Sequence, residues 1–231
     1  KEVRKINPTG KIYVVEGSAV STKEAFKQLG YNKENLPEVD DFIALEKERG
    51  QMAEYGSDKL VKVKYPGNRY GNSELYYNKD YYYDVDYFIT IPVLKNHWDA
   101  AVTGGIKNMS IGGTPANIYG QASGGYGRGY NNGKGINHDD PELRKWIHDY
   151  YICRPADFCV IDGIQGSQGG PTPMNTVGLG TDVKNYYMNM RLIVAGSDSV
   201  ATDTIEALLT EWDPQSARYL DYLDESGLGN T

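Results

Sequence analysis

Three nearly continuous apolar runs, "DYFITIPVL" (86–94), "DFCVIDG" (157–163) and "RLIVAGSD" (191–198), constrain this chain more than any other feature. Each falls far short of the roughly 18 apolar residues that a membrane-spanning helix needs, and each reads as a buried strand. Helical patterns stand between and after them. "HDDPELRKWIHDYY" (138–151) has Asp140 as cap, Pro141 at the first helical position and one stripe of Leu143, Trp146, Ile147, Tyr150 and Tyr151. His148 falls off that stripe and is expected to be exposed and uninvolved. "SVATDTIEALLTEW" (199–212) is amphipathic through Val200, Ile205, Leu208, Leu209 and Trp212, and a last helix runs from Asp213-Pro214 to Gly227.

Toward the start, "KIYVVEG" (11–17) reads as a strand closed by glycine. "STKEAFKQLGY" (21–31) reads as a helix with Ser21 as cap, Glu24 at the capping-box position and Gly30 as its stop. "FIALEK" (42–47) and "KLVKVKYPG" (59–67) add two strands. The Tyr-rich segment that follows splits near Asp84 into a surface hairpin or strand and the buried run at 86–94. Strands alternating with helices at this spacing predict a single α/β domain over 1–231, with a mixed or mostly parallel sheet sandwiched by helices. Residues 112–135 are dominated by Gly, Asn and Tyr without period, and read as a long irregular, lid-like loop.

A net charge of -7 and a pI near 5.0 argue against a nucleic-acid partner, which calls for a basic face. The chain opens "KEVRKINPTG" without Met and closes "ESGLGNT", so both ends read as cuts through a longer protein. The compartment, cytoplasmic or exported, stays open on that reading. Cys153 and Cys159 match no zinc or iron–sulfur spacing, and read either as two unlinked thiols or as a local disulfide.

Ligands of open α/β sheets bind beyond the carboxyl ends of the strands. Three strand ends here are polar. The first carries Lys95, Asn96 and His97, with Thr103, Lys107 and Asn108 a short segment later. The second carries Asp162 and the turn with Gly169 and Gly170, and the third carries Asp198, with Asp203 in the first turn of the next helix. Two lysines and an amide near a helix start suit a small anion, a carboxylate or phosphate, although Lys95 and Lys107 could also be solvated while Asn96 and Asn108 fix turns. His97 and His138, with Asp162 as a third member, could hold a divalent metal, act as general acid and base, or be structural. Asp198 and Asp203 also suit capping and first-turn positions. No P-loop, dinucleotide fingerprint or Gly-x-Ser-x-Gly elbow is present. The tyrosines of "LYYNKDYYYDVDY" and "IYGQASGGYGRGY" could stack on sugars, form a homo-oligomer or other subunit contact, or decorate a surface.

Three segments carry a family resemblance: "VDYFITIPVLKNHWDAAVTGGIKNMSIGG" (85–113), "HDDPELRKWIHDYYICRPADFCVIDGIQGSQGGP" (138–171) and "LIVAGSDSVATDTIEALLTEWDP" (192–214). In this order they resemble the domain of unknown function 362 family. The resemblance implies an α/β fold and picks out Lys95, His97, Lys107, Asn108, His138, Asp162, Asp198 and Asp203; it implies no reaction. Many relatives carry ferredoxin-type cysteine clusters, and this chain has none, so no iron–sulfur cluster is expected within it. The family's usual first strand and helix and its final strand are also expected to be missing. Two readings follow from the sequence: an enzyme or ligand-binding domain with a strand-end site for a small anion, or a non-catalytic assembly module using its Tyr-rich surfaces.

Overall fold

The computed structural model describes residues 1–17, 22–45, 60–63, 75–97, 99–112, 142–168 and 187–231. The expected lid-like loop lies outside these except for Gly112, and so do His138, Gly169, Gly170, Ser21, Asp140 and Pro141. The chain divides into two compact units, one from 1–61, 76–85 and 112–135, the other from 62–75, 86–111 and 136–231.

The first unit holds α1 (Glu2–Ile6), β1 (Tyr13–Glu16), α2 (Thr22–Leu29) and β2 (Asp41–Ala44), with β1 and β2 paired in parallel. Asp40 ties the start of this pair together. Its carboxylate accepts the Ile12 N–H at 2.8 Å and an Arg4 N–H at 2.6 Å, and those two bonds hold its pKa down at about 2. β3 (Leu60–Val63) and β4 (Leu75–Asn78) form a separate two-stranded sheet. The tyrosines after β4 do not continue a strand. They wind into a π-helical turn at Lys79–Tyr83, whose first N–H groups Asn78 caps through Tyr81. Tyr77 and Tyr82 are buried and stack with ring centroids 5.6 Å apart, so these two rings fill an interior and do not decorate a surface.

The second unit is an α/β domain around a mixed six-stranded sheet. Its elements are β5 (Ile89–Thr90), β6 (Val93–His97), β7 (Ala101–Val102), α3 (Gly105–Gly112), α4 (Glu142–Cys153), β8 (Phe158–Ser167), β9 (Tyr187–Met188), β10 (Leu192–Gly196), α5 (Ser199–Leu209), a 3-10 turn (Pro214–Ser216) and α6 (Arg218–Glu225). β8 organises the sheet: β5 and β6 pair with it in parallel, β9 and β10 antiparallel, and β7 extends the edge against β6.

Two strand boundaries differ from the sequence expectation, each for a local reason. The run 86–94 is not one strand, because Pro92 has no N–H to give to a ladder and splits it into β5 and β6. The Pro92 carbonyl still accepts the Asp162 N–H at 2.9 Å, so both halves stay aligned on β8. β8 does not end at Asp162-Gly163 but runs on to Ser167. Between the pairs Val93↔Asp162 and Lys95↔Ser167 its register slips, and Gly166 lies against Leu94 there. A Cβ on Gly166 would come within 2.7 Å of the Leu94 carbonyl oxygen, so only glycine lets the strands close at this point.

Leu94, Cys159 and Ile161 point to the inner face and pack with Met188, Leu192, Val194 and Leu209. Both cysteines are free, and burial pushes each thiol up to about 12. On α4 the expected stripe of Leu143, Trp146, Ile147, Tyr150 and Tyr151 is buried throughout. His148, expected outside, is also fully buried: its Nδ1 lies 2.9 Å from Asp149 Oδ1 and its Nε2 2.9 Å from Ser226 Oγ. The reason is α6, which buries Tyr219, Leu220 and Leu223 and so makes a second face of α4 internal. Leu94 is the most enclosed side chain of the strand that leads to the polar centre. Leu94→Ala should cost about 2–5 kcal/mol of unfolding free energy, read as a lower urea midpoint with an unchanged slope.

Candidate functional site

The polar centre is built where α3 begins. The first N–H groups of a helix have no partner within it, and the helix dipole favours an anion at that end. Here the anion is the protein's own. Asp203, reaching from α5, accepts the Gly105 N–H on Oδ1 at 2.6 Å and the Ile106 N–H on Oδ2 at 3.1 Å. The Tyr219 hydroxyl of α6 donates to Oδ2 at 3.2 Å. This contact accounts for the first glycine of "VTGGIKN" and Cys159 for the second: a Cβ on Gly104, whose φ is +21°, would lie 2.2 Å from the Asp203 carboxyl, and one on Gly105 would lie 2.3 Å from Cys159 Sγ.

Glu206 lies three residues further along α5, on the same face. Its Oε1 accepts the Lys95 N–H at 2.9 Å, while the Lys95 carbonyl accepts the Thr103 N–H at 2.9 Å. The peptide units around Lys95 are thereby gripped from α5 on one side and from the β7–α3 connection on the other. Two buried oxygens here have no hydrogen-bond partner among the described residues, Glu206 Oε2 and Thr103 Oγ1.

Lys107, in the first turn of α3, is only 5% exposed. Among the described residues it makes no hydrogen bond and no ion pair. Burial, and then the charge of Lys95, lower its pKa well below the usual lysine value, while Asp99 and Glu206 oppose that fall. The two carboxyls move the other way. Burial pushes Asp203 up to about 7 in spite of its three hydrogen bonds, and burial followed by the Asp203 charge pushes Glu206 well above the usual carboxylate range.

The remaining residues named from the sequence fall into three groups. Some adjoin this centre. His97 is buried at the end of β6, and its Nδ1 accepts the Asp99 N–H at 3.1 Å, which leaves Nε2 as the proton-bearing nitrogen of a neutral ring. Asn96 is half-buried beside it and pairs in register with Val102. Asn108 donates to Thr90 Oγ1 at 3.2 Å, and Thr90 donates to the Gly105 carbonyl at 3.1 Å, so that amide fastens α3 to β5.

Others stand apart. Asp162 is in the middle of β8, paired with Val93 and Ile193, on the face opposite Ile161. His97 is four residues beyond Val93, roughly 13 Å along the strand. Asp162 thus lies across the sheet from α5 and is not beside His97. Asp198 caps α5 through the Ala201 N–H at 3.0 Å, at the end where Gly196 pairs with Cys159. The last group, His138, Gly169 and Gly170, is outside the described residues, among which no three His, Cys, Asp or Glu side chains are grouped to hold a metal.

Glu206 and Tyr219 were not singled out from the sequence. The expected apolar stripe of α5 explains the omission. Ile205 and Leu208, assigned to the core, are 45% and 57% exposed, and Thr202, Asp203, Glu206 and Ala207 turn inward instead. A pair of acids at i and i+3 opposite two large apolar residues was the available signal.

Fold and site together define an α/β domain with a buried, mixed-charge centre drawn from β6, the β7–α3 connection and α5. The chain belongs to the domain of unknown function (DUF362) family, whose model matches residues 1–207. No curated protein and no solved structure matches it.

The raised carboxyl pKa values fix the sign of a pH dependence. Above the ordinary Glu value of 4.5 the folded chain holds Glu206's proton more tightly than the unfolded chain does, so this residue's contribution to stability is lost as pH rises. Glu206→Gln keeps an acceptor for the Lys95 N–H and removes the titration. Urea midpoints at about pH 5 and about pH 8 should therefore fall further in the unaltered chain than in Glu206→Gln.

Proposed function

We propose that this chain is a ligand-binding domain of enzymatic type that takes a small anion, a metabolite-sized carboxylate or phosphate, at Lys95 and Lys107. The observation that carries the reading is Lys107 itself: a cationic side chain 5% exposed, with no hydrogen bond or ion pair among the described residues. A lysine side chain this enclosed, with no acceptor among the described residues, suits an anionic ligand that would supply both the charge and the acceptors. The buried Thr103 hydroxyl, also without a partner among the described residues, offers a further donor four residues earlier. Lys95, half-buried with its backbone held by Glu206 and Thr103, brings the second cation.

The α3 N-terminus is not part of this anion site, because Asp203 already occupies it. Asn108 stands behind the site as a fastener. His97 supports the enzymatic side of the reading: a buried neutral imidazole with Nε2 as donor is suited to giving or guiding a proton. The Asp203–Glu206 pair is a second store of protons within the same unit.

The test is a thermal-shift panel of small carboxylates and phosphates against the unaltered chain, Lys107→Met and Lys95→Met. A ligand at about 100 times its Kd should add about 2.7 kcal/mol, a rise of roughly 5–10 °C in a chain of this size. The rise should vanish in Lys107→Met and weaken in Lys95→Met. Shifts of equal size in all three proteins would sink the reading.

A further inference from the structure

We infer that this chain forms a two-fold dimer, in which the open edge of β10 pairs with β10 of a second copy and α5 packs against its counterpart. The interface is separate from the anion site. Three observations carry it.

The first is the edge itself. β10 is the end strand of the sheet, and among the described residues it pairs only with β8. Ile193 stands opposite Asp162, but the Asp162 N–H goes to the Pro92 carbonyl on the other side of β8. Ile193 and Asp162 are therefore a non-bonded pair of the antiparallel ladder. By alternation, the N–H and C=O groups of Ile193 and Ala195 point away from β8. The strand from Leu192 to Gly196 has no charge and no proline to blunt that edge. Ile193 is 60% exposed, and Ala195 is exposed two residues further on.

The second is the direction in which α5 turns its apolar residues. Thr202 and Leu209 face the sheet: a Cβ on Gly196 would lie 3.2 Å from Thr202 Cγ2, and Leu209 packs with Leu94, Ile161 and Val194. Asp203 and Glu206 face the side of β6 and β7, where they hold the Gly105 and Lys95 N–H groups. At 3.6 residues per turn, the exposed Ile205 and Leu208 lie on the side of the helix opposite those acids. The strand order β10-β8-β6-β7 makes that the side of the open edge.

The third is that a second copy satisfies both features at once. An antiparallel β10 pair about an axis normal to the sheet keeps both α5 helices on one face. Ile205 and Leu208 of one copy then meet Ile205 and Leu208 of the other. With Val194 at the axis, Ile193 of each copy exchanges backbone hydrogen bonds with Ala195 of the other. Arg191 comes to the Ser197–Asp198 end of the facing strand, so opposite charges meet at both ends of the seam. A strand seam this short buries little against the roughly 1,000 Å² of a specific interface, and the paired helices enlarge it.

Sedimentation equilibrium of the full chain at about 100 µM should give twice the chain mass of 25.7 kDa. Ala195→Pro removes one outward N–H and leaves the ladder to β8 in place, as proline in an edge strand can. Ile205→Lys alters a side chain that already meets solvent. Each should raise the dimer dissociation constant at least about tenfold, and Ile205→Lys should keep the urea midpoint of the folded chain. Leu29→Lys, at an exposed apolar position on α2, should leave the dimer unchanged. A monomer at about 100 µM overturns the inference. So does a dimer that Ile205→Lys does not weaken, or one that Leu29→Lys weakens as much.

Discussion

The larger unit depends on one carboxylate. Asp203 closes the open end of α3 with two backbone hydrogen bonds and takes a third from Tyr219, so one side chain joins α3, α5 and α6. Its presence dictates the glycine at 104, where a Cβ would overlap it. It also dictates which way α5 faces. With Asp203 and Glu206 both needed inside, Ile205 and Leu208 turn outward, while Val200, Ala207 and Leu209 still pack inside. Charge-assisted bonds to backbone N–H groups are strong enough to override two apolar side chains, each worth about 1.5–3 kcal/mol when fully buried.

The same carboxylate sets the electrostatics. Three hydrogen bonds favour its charged form and complete burial opposes it, and burial wins by enough to bring Asp203 to about 7. Glu206, next along the same face, is pushed well above the usual carboxylate range by burial and then by the Asp203 charge. Lys107 is displaced in the opposite sense by the same dryness. Raised carboxyls and a lowered amine in one centre are shifts that burial creates without any special residue types.

The parts of this structure that could be read from sequence are those governed by period and punctuation. The stripe of α4 is legible because five apolar residues at helical spacing all turn inward. The strand-end reasoning points to Lys95, Thr103 and Lys107 because polar residues crowd the end of β6. It misplaced the end of β8, where Gly163 and Gly166 look like a turn and instead make room for Leu192 and Leu94. That error moved Asp162 from a strand end to a strand middle, away from His97. Glu206 was illegible for a different reason: an acid within an amphipathic helix ordinarily faces water, and only the tertiary partner, the Lys95 N–H, makes it internal. His148 was misjudged in the same way, since α6 covers a face of α4 that its own sequence leaves polar.

The hydroxyl of Tyr219 has a consequence for how the family relates to the fold. The segment shared with the family ends at residue 207, within α5, after every charged group of the site and before Tyr219. The shared part thus supplies the charges, and the following helix supplies a donor that steadies the central one. The hydroxyl that donates to the central acid therefore stands on a segment separate from the one that carries the charged groups.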